Sequence, residues 1–546
     1  MDNGTALKDS SYNLPSLEGD LANLQRRDLV GRVWSHDHTA WKPNPTEIAD
    51  RLGWLSVTGQ MSGELGAIVE FGSEVRRAGF RHVVLLGMGG SSLGPEVLRQ
   101  VFRSAKDYPK LIVLDSTVPA WVEAVARRVD PQRTLFLVSS KSGTTTEPNS
   151  LYAYFRSLLD QHGQATGSNF AAITDAGTSL EQLAKEQQFR RIFLNPSDIG
   201  GRYSILSYFG LVPAALIGME LPELIHRADA MRAKCSAETP LKDNPGAWLG
   251  LVMGKLALQG RDKLTLITSP SLAGFGLWVE QLLAESTGKE GKGIVPVAGE
   301  PLVEARNYGP DRLFIYLRLE EDENSEIDAA VESIQLAGHP LLRMILKDKY
   351  DLGGEFYRWE FATALAGALL GINPFDQPDV QGAKDMTDSM LAQYQAAGRW
   401  PQTPEFGRES ASLGELLAEA GFGDYLAIMA YLEQTPQVDQ VLNSLRRRVL
   451  DRYGIATTVG YGPRFLHSTG QMHKGGPDSG LFLQLTQEHA EDVPIPGQSY
   501  TFGVLADAQA RGDYQALDKA GRRTARVHLP GDPSAGIAQL VEQLKA

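Results

Sequence analysis

The chain has 546 residues, a single cysteine and a formal net charge of −13, with a pI near 5.4. That length exceeds what one hydrophobic core organises, and a lone Cys235 rules out an internal disulfide or a cysteine-built zinc cage, leaving it as a small buried apolar residue. The acidic balance argues against nonspecific nucleic-acid binding. No apolar run of 18 residues is present and the opening MDNGTALKDSSYN is polar, so the expectation is a soluble cytoplasmic protein with no membrane partner.

Residues 1–75 lack β-rich runs and read as a helical lead-in, broken at WKPNPTE before the helical pattern IADRLGWLSV. From 76 to 240, short apolar runs (HVVLLG, KLIVLD, TLFLVS, FAAIT, RIFLNP) alternate with amphipathic stretches. Buried strands alternating with helices predict a doubly wound parallel sheet covered on both faces. Residues 241–400 repeat the theme with KLTLITS, GIVPVAG, RLFIYLRL and LLRMILK, and with helices around LAGFGLWVEQLLAEST and GEFYRWEFATALAGALLG. The proline- and glycine-rich WPQTPEFGRESASLGE, residues 400–415, marks a boundary, and 401–546 reads as a third α/β unit. The fold class expected is α/β, three-layer, with two such domains plus a C-terminal α/β unit.

Two segments, LLGMGGSSLGPE at 85–96 and LVSSKSGTTTEP at 137–148, run a strand into small hydroxyl-bearing residues and then into a helix. Glycine permits close backbone approach, the hydroxyls donate, and a helix N-terminus adds free N–H groups and a positive dipole end, which suits a phosphate. Neither loop has the spacing of a nucleotide fingerprint.

Other residues carry chemistry by type and spacing. Gln281 and Glu285 are four apart in one helix, hence on one face, with Glu285 near the helix end, where a carboxylate can serve as a general base. Gln377 and Lys384 are seven apart, which predicts two turns of one helix and again a shared face. Arg202 follows two glycines in IGGRYS, where its guanidinium could meet a developing oxyanion. His467 and His473 lie in the glycine-bounded GYGPRFLHSTGQMHKGG, at a spacing unsuited to zinc, and one histidine there could shuttle a proton. His36 and His38 lack further ligands nearby and are taken as structural. No metal and no cofactor is expected.

In order along 80–390, GMGGSSLGP, SSKSGTT, GGRYS, QLLAESTGK and NPFDQPDVQGAK resemble the signatures of the glucose-6-phosphate isomerase family, sugar isomerases built from two SIS domains. Within it the chain most resembles the isomerase portion of fused transaldolase/glucose-6-phosphate isomerase proteins, although no transaldolase barrel fits in this chain. The resemblance implies a sugar phosphate held by Gly90, Ser91, Ser140, Lys141, Ser142 and Thr145. It implies that Glu285 moves a proton between C1 and C2 through a cis-enediol(ate), with Arg202 stabilising the intermediate. Lys384 and a histidine would assist ring opening, and Gln281 and Gln377 would orient hydroxyls. It further implies a homodimer, and a relation to transaldolase fusions.

One departure stands out. The family's His-x-x-x-Gln segment falls between the glutamate and the lysine, whereas here the matching HSTGQ at 467–471 follows Lys384. The reading is that the C-terminal unit supplies His467, in cis or from a partner chain, with His339 in AGHPLL as competitor. A non-catalytic sugar-phosphate sensor and an isomerase of a related substrate such as mannose 6-phosphate are the alternatives. The linear sequence leaves the choice of epimer open.

Overall fold

The computed structural model describes residues 9–161, 163, 167–400 and 412–544. The boundary expected at 400–415 therefore falls largely on residues outside those described. Each of the three stretches of alternating pattern forms its own sheet. A short strand β1 (Ser10–Tyr12) opens the described chain. The first sheet holds β2 (His82–Gly87), β3 (Lys110–Leu114), β4 (Thr134–Ser139), β5 (Phe170–Asp175) and β6 (Arg191–Asn195), in the order β3-β2-β4-β5-β6, all parallel.

The second sheet holds β7 (Lys263–Thr268), β8 (Val295–Ala298), β9 (Arg312–Leu319) and β10 (Leu341–Leu346) in the order β10-β9-β7-β8, with β1 added antiparallel at the β10 edge. The third holds β11 (Tyr425–Tyr431), β12 (Ala456–Tyr461), β13 (Gly480–Gln487) and β14 (Arg523–Leu529), ordered β12-β11-β13-β14 and parallel throughout. The continuous burial of strands such as β4 and β11 is what helix-covered parallel sheets require, and explains why these strands read as unbroken apolar runs.

Three expectations need correction. IADRLGWLSV is not a helix: it forms turns and a 3-10 segment, Gly53–Ser56, and the α-helix starts only at Val57. Strands β1 and β12 carry no strong pattern, because one is a three-residue edge and the other, ATTVGY, is short and glycine-containing. Gln377 and Lys384 do not share a helix face, since the helix begins at Val380, after Pro378, and Gln377 lies in the loop before it.

One apolar core, including Phe71, Phe209, Trp278, Phe356 and Trp359, runs continuously between the first two sheets, while the third packs around Leu426, Leu445, Leu483 and Ile537. The helix Leu352–Leu370 is buried along almost its whole length, which its lack of a polar face dictates. Polar groups fasten the third sheet to the second. Glu300 is buried and binds Arg312 (Oε2 to Nη1, 2.8 Å), and its other oxygen accepts from the backbone N–H of Thr457 at 2.7 Å. Arg446 of the third unit donates to the carbonyls of Ala298 (2.9 Å) and Gly299 (2.7 Å).

Removing one partner of a buried ion pair leaves an uncompensated charge. Arg312→Met is expected to cost about 3–5 kcal/mol, read as a lower urea midpoint at unchanged slope. An unchanged midpoint would show that Glu300 does not depend on this guanidinium.

Candidate active site

Strands β2 and β4 are neighbours whose last residues, Gly87 and Ser139, stand opposite one another. The chain leaves β2 toward β3 on one side and leaves β4 toward β5 on the other, so the sheet's topological switch point lies between these two carboxyl ends. Both hydroxyl-rich loops emerge there. The first rests against the GGR turn: a Cβ on Gly90 would overlap the Gly201 carbonyl, and one on Gly89, whose φ is +55°, would press on His467 and Gln281. Glycine is required at both positions by contact, and at Gly89 also by backbone conformation.

In the second loop the hydroxyls currently satisfy one another. Ser140 Oγ lies 3.0 Å from Thr145 Oγ1 and accepts from the Gly143 N–H at 3.1 Å, and Ser142 Oγ lies 3.0 Å from Thr144 Oγ1. The helix Thr146–Gln161 starts immediately after. A cleft of about 300 Å³ opens over this turn. Ser142, Thr144, Thr145 and Glu147 line one wall, and Gln381 and Lys384 of the helix Val380–Ala397 line another. Leu466, His467, Leu505 and Gln509 of the C-terminal unit close the third.

Beside this cleft lies a second cluster. Arg202 Nη1 is 2.9 Å from Glu285 Oε1, with the arginine 3 % and the glutamate 13 % exposed. Arg202 also donates to the carbonyls of Pro374 (3.0 Å) and Asp376 (2.8 Å) and to Gln377 Oε1 (3.2 Å). Gln281 Nε2 donates to Glu285 Oε2 at 3.1 Å and to the His467 carbonyl at 2.9 Å, so the one-face spacing of Gln281 and Glu285 is realised.

His467 joins the two clusters, since its backbone meets Gln281 while its ring Nε2 lies 2.9 Å from Glu147 Oε1. An ionised carboxylate only accepts, so Nε2 carries the hydrogen and Nδ1 is the nitrogen free to exchange a proton. Burial alone would raise the Glu147 carboxyl. The charge and hydrogen bond of the neighbouring imidazole outweigh it, helped by Lys384, and hold Glu147 below the usual glutamate range.

Of the residues expected from sequence, Ser142, Thr145, Lys384 and His467 meet in the cleft, and Glu285, Arg202, Gln281 and Gln377 form the adjoining cluster. Ser91 and Ser140 are buried at the base of the two loops, and Gly90 is half-buried against Gly201. Lys141 stands apart, its ammonium engaged by Asp175 and by the Ser197 carbonyl at 2.9 Å. His339 sits just before β10, with Nε2 3.3 Å from the Ala305 carbonyl and its ring against Phe314, at the amino end of the second sheet. His473 is buried against Phe465 and Phe482. Among the described residues no group of three or more His, Cys, Asp or Glu could hold a metal, and no helix is long and apolar enough to cross a membrane.

Sequence reasoning missed Glu147, Gln509 and Lys289. Glu147 reads as an ordinary acidic residue in a first helical turn, and Gln509 lies in a helix far along the chain, so neither carries a local signal. Lys289 ends the QLLAESTGK segment. It is buried, 2.8 Å from Asp376 Oδ1, and donates to the Asn373 carbonyl at 2.6 Å, pinning the loop that Arg202 also holds.

Parallel sheets with helices on both sides and a hydroxyl-rich cradle at the switch point define an α/β protein with a ligand site at the carboxyl ends of its first sheet. Residues 65–295 match the family described as phosphoglucose isomerase. The chain is 28 % identical over 412 residues to glucose-6-phosphate isomerase of Staphylococcus saprophyticus, covering 67 % of this chain and 92 % of that protein. It is 28 % identical over 386 residues to a probable glucose-6-phosphate isomerase of Methanococcus maripaludis, covering 63 % and 85 %. The fold is similar to that of a glucose-6-phosphate isomerase from Chlamydia trachomatis, with a TM-score of 0.61 at 19 % identity over 71 % of this chain and 87 % of that one. The segment 65–295 is thus similar to the phosphoglucose isomerase family, and the chain is similar to glucose-6-phosphate isomerases over about two thirds of its length.

Burial first, and the charge of Arg202 second, push the Lys289 ammonium down to about 7 from its ordinary 10.5. Between those values the unfolded chain binds a proton that the folded chain does not, so this group makes stability climb with pH across that window. Lys289→Met removes the climb. The stability of the unsubstituted protein relative to the variant should therefore rise between about pH 7 and pH 9 in urea titrations. A difference that stays flat with pH would place the lysine's titration elsewhere.

Proposed function

We propose that the protein is an aldose–ketose isomerase that interconverts glucose 6-phosphate and fructose 6-phosphate. The observation that carries this reading is the continuity of Glu285, Gln281 and His467 with the cleft over the 140–145 loop. A base, an oxyanion partner and a remote anion cradle thus lie within one connected site.

In this mechanism the hydroxyls and N–H groups of the 140–145 loop exchange their internal bonds for the phosphoryl oxygens, at the start of the helix Thr146–Gln161. Binding energy from that remote group positions the reacting carbons. His467, held by Glu147 through Nε2, and Lys384 assist ring opening. Glu285 then takes the proton from C2 and returns it to C1 by way of the cis-enediol(ate), while Arg202, already facing that carboxylate, stabilises the negative oxygen. Gln281 and Gln377 orient hydroxyls. Lys141 joins the loop donors as a positive charge only by exchanging Asp175 for the phosphoryl group.

The same reading places the enzyme in the cytoplasm, as a homodimer related to transaldolase fusions. It divides the chain into a lead-in (1–75), two SIS-like domains (76–240 and 241–400) and the C-terminal unit (401–546). A regulatory sensor would use the cradle but leaves the Glu285–Arg202 pair without a task. Mannose 6-phosphate differs only in contacts around C2 and is the natural competing substrate for assay.

In a coupled assay converting fructose 6-phosphate to glucose 6-phosphate, Glu285→Gln should lower kcat by ~10³-fold with KM within about threefold. An unaltered rate would remove the glutamate from the base role. His467→Ala should lower activity by about 10²-fold, chiefly at ring opening, while His339→Ala leaves it intact. The reverse pattern would make His339 the ring-opening residue.

A further inference from the structure

The histidine on which this isomerase reading depends belongs to a unit that could have been an appendage. Its placement is governed by one short turn. Arg464–His467 is a single 3-10 turn directly after β12, in which positions i and i+3 stand above one another on one face. The two ends of that turn both grip the first sheet. At one end, Arg464 makes a bidentate pair with Asp115, Nε to Oδ2 and Nη2 to Oδ1, both 2.8 Å. At the other, His467 meets Glu147.

Asp115 follows β3 and Glu147 follows β4, and these strands flank β2. The turn therefore spans the switch point from one side to the other, and the β2 loop at Gly89 lies beneath His467. Asp115 is fully buried and the Arg464 guanidinium lies 5.3 Å from the Trp121 ring centroid, so the pair is desolvated and geometrically fixed. A second tie comes from the helix Phe502–Lys519. Gln509 donates to Glu147 Oε1 at 2.7 Å and accepts from Thr117 Oγ1 at 2.7 Å. His467 and Gln509, the two side chains that meet Glu147 Oε1, thus both belong to the C-terminal unit.

We propose that Arg464 is a positioning residue that latches the C-terminal unit across the switch point, so that each chain presents its own His467 to its own Glu147 and completes its site without a second copy. The inference rests on the isomerase reading, and it adds a residue and a cis assembly to it. A latch acts on the geometry of the proton-transferring groups rather than on the phosphate cradle, so its loss falls on kcat more than on KM.

The first test compares Arg464→Ala and Arg464→Lys with the unsubstituted enzyme and with Glu285→Gln. Arg464→Ala should lose on the order of 10²-fold in kcat with KM within about threefold, and Arg464→Lys, which keeps the charge without the fork, should recover only part of it. Adding guanidinium ion at a concentration below its denaturing range should raise the activity of Arg464→Ala but not of Glu285→Gln. An active parent, a dead Glu285→Gln and unchanged kcat in both Arg464 variants would overturn the latch while leaving the isomerase reading standing. An inactive parent would instead overturn the reading itself.

The second test does not depend on Arg464 variants folding. Glu285→Gln and His467→Ala chains are unfolded, mixed and refolded together. A cis site predicts that the mixture is no more active than the two variants refolded separately. Recovery of activity in the mixture, through a hybrid that pairs an intact Glu285 with a partner's intact histidine, would contradict it.

Discussion

The site depends on one carboxylate shared between two parts of the chain. Glu147 opens the helix after the hydroxyl loop of the first sheet, yet its partners, His467 and Gln509, come from the third. Buried carboxylates are tolerated only when their oxygens are satisfied. That need fixes the C-terminal unit against the switch point, and with it the ring that faces the cleft. The same imidazole residue reaches Glu285 through its own carbonyl and Gln281, so proton-transfer groups on both sides of the cleft share a single mechanical reference.

Around that reference the loops are set by close contact rather than by long side chains. Gly90 lies against Gly201, which brings the first loop onto the turn carrying Arg202. Arg202 and Lys289 then hold the 373–377 loop from two directions, through carbonyls and through Asp376. Gln471, four residues beyond His467, donates to Gly288 O at 2.9 Å and to Asp379 Oδ2 at 2.6 Å, tying the end of the Glu285 helix to the approach of the Lys384 helix. A buried cation placed among backbone carbonyls is a rigid joint, because each carbonyl would otherwise lie unsatisfied.

Much of this was legible in the sequence because it is local. Unbroken apolar runs announce buried parallel strands, and a four-residue interval announces a shared helix face, as Gln281 and Glu285 bear out. The two loops announce themselves by glycine and hydroxyl density at strand ends. What sequence periodicity cannot convey is where an element ends. Gln377 and Lys384 have helical spacing, but Pro378 intervenes and the helix starts at Val380. Nor does it convey partners that meet only in space. Lys141 looks like a free phosphate-binding cation until Asp175, from the end of the next strand, is seen beside it. Glu147 looks like a common first-turn acid until residues more than three hundred positions away close over it.

The central claim is that one sugar phosphate bridges the hydroxyl turn and the Glu285 carboxylate. A crystal structure with a hydroxamate or carboxylate mimic of the enediolate, carrying a terminal phosphoryl group, tests this most directly. The account predicts phosphoryl oxygens on the Ser142–Thr145 turn, the planar end of the mimic between Glu285 and Arg202, and His467 of the same chain at its ring-oxygen side. Density that places the phosphoryl group in one cavity and leaves Glu285 unreached in another would contradict it.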